Sequence, residues 1–141
     1  MKLFAILLSG VMLCVFSHAA VVAQPIDTSI AQQSNLTAKK IFYGQASFYS
    51  DKFNGRKTAS GEIFSQAKMT CASNILKIGT WVKITNLRNG KTIVVKVNDR
   101  LHKSMKRIVD LTRAGARKLG FEAAGLTRVK VEVLGKKKPR D

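Results

Sequence analysis

The feature that most constrains the fold is a series of short alternating segments cut by glycine turn pairs. Asn89-Gly90 lies between Ile84-Thr85-Asn86-Leu87 and Thr92-Ile93-Val94-Val95-Lys96-Val97. An Asn-Gly pair between two β-patterned runs predicts a two-stranded hairpin. Trp81 to Thr85 alternates lysine with apolar and β-branched residues, as a half-buried strand does. Gly44 to Tyr49 and Val129 to Leu134 alternate in the same way. Met69 to Ser73 and Ile108 to Leu111 are shorter apolar pieces, and Asn54-Gly55 and Ser60-Gly61 mark further turns. One segment reads as a helix. Thr112 can cap it, Ala114, Ala116 and Leu119 lie within it, and Gly120 ends it. The expected fold is therefore mainly β, with six short strands and one short helix. A closed barrel is the economical way to protect that many strand edges.

The first residues predict export. Lys2 precedes an apolar run from Leu3 to Phe16, and Val21-Val22-Ala23 offers a small-residue cleavage site before Gln24. The run is short for a membrane span of about 20 residues, so no stable span is expected after cleavage. Cys14 is followed by Val15 and Phe16 rather than ending the run, which argues against a lipoprotein. The expected organisation is a signal peptide over 1–23, a polar flexible linker over 24–42, a domain over 43–134 and a basic tail over 135–141. The expected location is secreted or periplasmic.

Cleavage would leave Cys71 as the one cysteine and His102 as the one histidine. That excludes an intramolecular disulfide and a cysteine-based metal site. A Cys71–His102 nucleophile pair stays open, but a lone cysteine beside small residues reads first as a buried small hydrophobe. No cofactor or metal is expected. The formal net charge is +17. Such a chain can bind nucleic acid, an anionic membrane surface or an anionic wall polymer. Export removes the case for nucleic acid.

Six motifs occur in order: Gly44-Gln-Ala-Ser-Phe-Tyr49, Asn54 to Glu62, Ile78-Gly79-Thr80-Trp81-Val82, Thr85 to Gly90, Val97-Asn98-Asp99-Arg100 and Val109-Asp110-Leu111-Thr112. Together they resemble the rare lipoprotein A family of double-psi β-barrels, which are related in fold to expansins. The resemblance implies a six-stranded double-psi β-barrel with one short helix. It also implies an endolytic lytic transglycosylase acting, as a monomer, on peptidoglycan glycan strands, with a preference for strands stripped of stem peptides. Carried over by position, Asp99 and Glu62 are the expected catalytic carboxylates, with Asp99 as general acid/base and Glu62 as stabiliser. Tyr49, Thr58, Ser60, Ser73, Asn98 and Arg100 are the expected substrate contacts.

Two departures stand out. Ser73 occupies a place where members often carry histidine, and Leu101-His102 follows Asp99-Arg100 where Gly-Pro is common. The first motivates an alternative, a non-catalytic, expansin-like wall-binding module. The chain also ends at Asp141 without the C-terminal glycan-binding domain of many members, so targeting by such a domain is not expected.

The chemistry suits two acids. Cleaving a glycosidic bond needs a proton for the leaving oxygen and support for an oxocarbenium-like transition state. In a lytic transglycosylase the sugar's own primary hydroxyl replaces water, so one carboxyl can act first as acid and then as base. From composition alone, Asp99 reads first as a turn carboxylate, and the family resemblance reverses that order. Glu62 equally reads as the ion-pair partner of Arg56 or Lys57, and Asp110 as a structural residue near the helix start. Among Phe48, Tyr49, Phe53 and Trp81, Tyr49 is the one expected to meet sugar; the others read as core.

Overall fold

The computed structural model describes residues 39–140. The expected signal peptide and most of the expected linker lie outside the described residues. The elements are β1 (Ile41–Phe48), β2 (Thr70–Ala72), β3 (Trp81–Asn86), β4 (Thr92–Asp99), β5 (Val109–Leu111), α1 (Arg113–Leu119) and β6 (Thr127–Gly135), with one 3-10 turn at Asp51–Phe53. The strands close in the order β1-β5-β2-β4-β3-β6. β1 runs parallel to β5 and β2 parallel to β4, while the other four pairings are antiparallel. This is the expected six-stranded double-psi barrel with one short helix.

Alternation sets the inside of the barrel. Val82 and Ile84 of β3, Ile93, Val95 and Val97 of β4, and Val129 and Val131 of β6 point inward and are buried. Cys71 sits among them as a small hydrophobe, and burial pushes its thiol up to about 12. A thiol so placed is no nucleophile, and His102, the other member of the open Cys–His pair, is exposed in a loop. Gly44 is required by a close approach, because a Cβ there would lie 2.7 Å from Ile108 Cγ2.

β1 begins at Ile41, so Ile41 and Phe42 belong to the barrel rather than to the linker. Ile41 pairs with Glu132, and Phe42 packs on the core. At the other end β6 takes in Gly135, opposite Trp81.

The helix follows its local signals. Thr112 Oγ1 accepts from Gly115 N at 3.2 Å, and Gly120 ends α1 at φ +71°. Its terminal carbonyls are also served by the hairpin. Asn86 Nδ2 and Asn89 Nδ2 both donate to Leu119 O at 2.9 Å. Asn86 Oδ1 accepts from Thr127 Oγ1 at 2.8 Å and from Arg88 N at 3.0 Å. This buried amide thus joins β3, β6, the hairpin and α1 at one end of the barrel. Asp99 ends β4 at the other.

Candidate functional site

β4 carries its inward apolar run to Val97 and then delivers Asn98 and Asp99 to the rim. Asp99 meets donors from three segments. Tyr49 Oη, just past β1, donates to Oδ2 at 2.8 Å. Ala59 N donates to Oδ1 at 2.9 Å, and Arg100 N donates to the same oxygen at 2.8 Å. Three donors on two oxygens fix the plane of the carboxyl. Burial first, and then the Asp99 hydrogen bond, push the Tyr49 phenol far above its ordinary range. Tyr49 is therefore a permanent donor to Asp99 at any physiological pH.

The Asn54–Glu62 motif folds back over this end. Lys57 bridges to Ile63, Thr58 N donates to Glu62 O at 2.8 Å, and Ser60 N donates to Asn98 O at 3.0 Å. Glycines at φ +84° (Gly55) and +85° (Gly61) permit the two turns. The loop sets the Glu62 carboxylate against β4. Lys96 Nζ lies 2.7 Å from Oε1, and Asn98 Nδ2 donates to Oε2 at 3.0 Å. Those two hydrogen bonds, Lys96 first, hold the Glu62 carboxyl below the usual carboxylate range. Its partner is thus Lys96, not the Arg56 or Lys57 read as alternatives from sequence.

Beside Asp99 opens a cleft of about 530 Å³. Its aromatic side is a cluster in which Tyr49 lies tilted 4.6 Å from Phe64 and edge-on 5.8 Å from Phe53, centroid to centroid. Leu101, His102, Met105 and Asp110 also line the cleft. Asp110 is held by Arg107 through contacts of 2.8 and 3.1 Å, the structural role expected for it. Among the described residues no group of three His, Cys, Asp or Glu side chains could hold a metal ion.

Residues 41–131 match the profile of a family described as lytic transglycolase. The chain belongs to that family. Its relatives include the endolytic peptidoglycan transglycosylase RlpA of Pasteurella multocida, 46% identical over 91 residues, covering 64% of this chain and 31% of that protein. The RlpA of Haemophilus influenzae is 37% identical over 107 residues, covering 76% and 37%. A probable RlpA of Synechocystis is 39% identical over 118 residues, covering 81% and 37%. The chain thus spans about a third of the length of these relatives. Among solved structures, the Streptomyces papain inhibitor superposes with a TM-score of 0.55 at 20% identity, covering 67% of this chain and 94% of that one. The apo expansin of Clavibacter michiganensis has a TM-score of 0.55 at 22% identity, covering 72% and 53%. These two likenesses concern the fold.

Within this lytic transglycolase domain, the expected site residues divide. Tyr49, Asp99 and Arg100 line the cleft. Glu62, Thr58, Ser60 and Asn98 are not among its lining residues; they form the hydrogen-bonded layer next to Asp99. Thr58 Oγ1 is engaged with Ser60 Oγ at 2.9 Å and with Glu62 O at 3.1 Å. Asn98 is 2% exposed, and its amide is committed to Glu62. In this structure Thr58 supports the loop and Asn98 supports Glu62.

Ser73 lies deeper. It is fully buried, its hydroxyl donates to Ile108 O at 2.8 Å, and its amide donates to Asp99 O at 3.1 Å. It cannot reach substrate. Arg100 lines the cleft, but its Nη1 is committed to the carbonyls of Ser73 and Leu76. Residues not anticipated at this end are Phe64, Lys96 and Met105. The alternation of β4 offered a signal for Lys96, since it points Lys96 to the opposite side from Val95 and Val97.

Proposed function

We propose that this domain is an endolytic lytic transglycosylase that cleaves peptidoglycan glycan strands in the cell envelope and leaves anhydro-muramic ends. The observation that carries the reading is the Asp99 carboxyl, presented at the mouth of an aromatic-sided cleft and held by Tyr49, Ala59 and Arg100. The activity for which the RlpA relatives are named supports the same reaction.

In this reaction the Asp99 carboxyl gives its proton to the glycosidic oxygen as the bond to the anomeric carbon breaks. The primary hydroxyl of the same muramic sugar then attacks that carbon and returns its proton to the Asp99 carboxylate. No water is consumed, and Asp99 ends in its starting state. Fixed donors on Asp99 keep it oriented through both transfers without reorganisation. Tyr49 orients Asp99 and presents a ring edge to the sugar. Glu62 stays ionised and adds a second negative charge near the developing oxocarbenium ion. Lys96 and Asn98 hold it there.

The alternative, a binding module of expansin type, is favoured by one observation: the place where histidine is common holds Ser73, which is buried and non-titratable. Incubation with stripped glycan strands, followed by mass analysis, separates the two. Anhydro-muramic ends that vanish in Asp99→Asn support the enzyme. Tight binding with no new sugar ends supports the module.

The expected export segment fits an envelope substrate. Among the described residues no helix is long and apolar enough to cross a membrane.

A further inference from the structure

The cleft is lined by more cations than its own acids neutralise. Arg107 is paired with Asp110, and Arg100 is committed to backbone carbonyls. Arg56 and Lys57, on the aromatic side, have no carboxylate within ion-pair distance among the described residues. The guanidinium of Arg56 lies over the Phe53 ring, 5.6 Å from its centroid, and Lys52 Nζ lies 5.3 Å from the same ring. Asp51 is the acid beside them in sequence, and it is drawn away: Arg113 Nη2 holds it at 2.9 Å and Gln66 Nε2 at 3.1 Å. Positive charge is thus left unneutralised on one wall of the cleft, against an aromatic surface suited to a sugar face.

We propose that Arg56 and Lys57 form an anion subsite that selects saccharides bearing a free carboxylate. The inference rests on the glycan reading above and deepens it. A muramoyl residue whose stem peptide has been removed exposes its lactyl carboxylate, whereas an intact one carries an amide there. Arg56 supplies a planar fork that can grip a carboxylate through two donors, and Lys57 adds a point charge. A cation–π contact with Phe53 helps hold the guanidinium at the cleft. A stripped strand would gain this contact and a peptide-bearing strand would not. The subsite would also set the register of the sugar against Asp99.

The test is binding, measured in the Asp99→Asn background so that turnover does not enter. Ligands are stripped glycan strands, the same strands with their carboxyls converted to amides, and a neutral chitin oligosaccharide. Arg56→Gln with Lys57→Gln is compared with Arg88→Gln with Lys91→Gln. The second pair removes equal charge at the hairpin, at the opposite end of β4 from Asp99.

The subsite predicts roughly a 10- to 100-fold loss of affinity for stripped strands in the first pair. It predicts less than about a threefold loss in the control pair. Affinity for the amidated strands and for the chitin oligosaccharide should be unchanged in both, which also reports that the variants are folded. Equal losses in the two pairs would overturn it, as would a parent Asp99→Asn chain that binds amidated strands as tightly as stripped ones. So would no detectable binding of stripped strands. Carboxylate-dependent binding without anhydro ends from the unmutated chain would sink the transglycosylase reading and leave the subsite standing.

Discussion

The two ends of β4 adjoin the same residue type in opposite employment. Asn86, the last residue of β3 at the hairpin end, is 1% exposed; Asn98, at the rim, is 2% exposed. Asn86 spends its amide on neutral groups, the Leu119 carbonyl and the Thr127 hydroxyl. Asn98 spends its amide on the Glu62 carboxylate. One end therefore closes a helix onto a barrel, and every partner is internal. The other end holds Asp99 at the edge of an open cleft and Glu62 in the hydrogen-bonded layer beside it. A buried amide says little about function until the charge of its partner is known.

The sharpest way to break this comparison is to remove the acid at the rim. Asp99→Asn keeps the shape of the side chain but removes the proton donor. We expect turnover of stripped glycan to fall about 10²- to 10⁴-fold, the usual contribution of general acid–base catalysis. Product release measured by mass would show it, with the thermal unfolding midpoint little changed. Unchanged turnover would remove Asp99 from the chemistry.

The reverse pattern is expected at the hairpin end. Asn86→Ala leaves Thr127 Oγ1 and Arg88 N without an acceptor, while Asn89 still serves Leu119 O. Stranding buried polar groups costs about 1–3 kcal/mol. Urea unfolding should report that loss, with glycan turnover per folded molecule unaltered. A matching drop in turnover would mean that the two ends are coupled through β4.

This division was only half legible in sequence, and the reason is contact range. The α1 boundaries follow from Thr112 and Gly120, and the β3–β4 hairpin from Asn89-Gly90, because caps and turns are decided within a few residues. The rim position of Asp99 also follows, since it ends an apolar run. The partners do not. Tyr49 and Asp99 are 50 residues apart, and Glu62 and Lys96 are 34 apart. These meet only because the barrel closes in the order β1-β5-β2-β4-β3-β6, which no local pattern encodes. The burial of Ser73 was not legible for the same reason. Its family position suggested the cleft, but parallel pairing of β2 with β4, together with Ile108, buries it.

A smaller effect should appear at high pH. The folded chain holds the Tyr49 proton more tightly than the unfolded chain does, because burial and Asp99 disfavour the phenolate. A raised folded value means that the contribution is fully present below the unfolded tyrosine value of about 10. It is lost as pH rises beyond that. The wild-type chain should therefore lose urea stability between pH 9 and 11 more steeply than Tyr49→Phe, which has no phenol to ionise. Identical slopes would mean that Tyr49 is not shielded as the structure has it. At neutral pH the same variant should turn over glycan more slowly through a less ordered Asp99.

The smallest effect belongs to Glu62, and it separates charge at the rim from stability. Its carboxyl is held below its ordinary range, so its contribution is present above the unfolded value of about 4.3 and is lost as pH falls through the folded one. The side chains of Lys96 and Glu62 are 35% and 36% exposed, so water screens the pair. About 0.5 kcal/mol is the appropriate scale. Glu62→Gln should thus unfold in urea within about 0.5 kcal/mol of wild type at pH 6, with the difference shrinking toward pH 3. On the proposed mechanism turnover should fall by more than stability does, because the negative charge is lost while the loop persists. Were stability to fall steeply and turnover only in proportion, Glu62 would be a fold residue. The rim would then differ from the hairpin end only in its exposure.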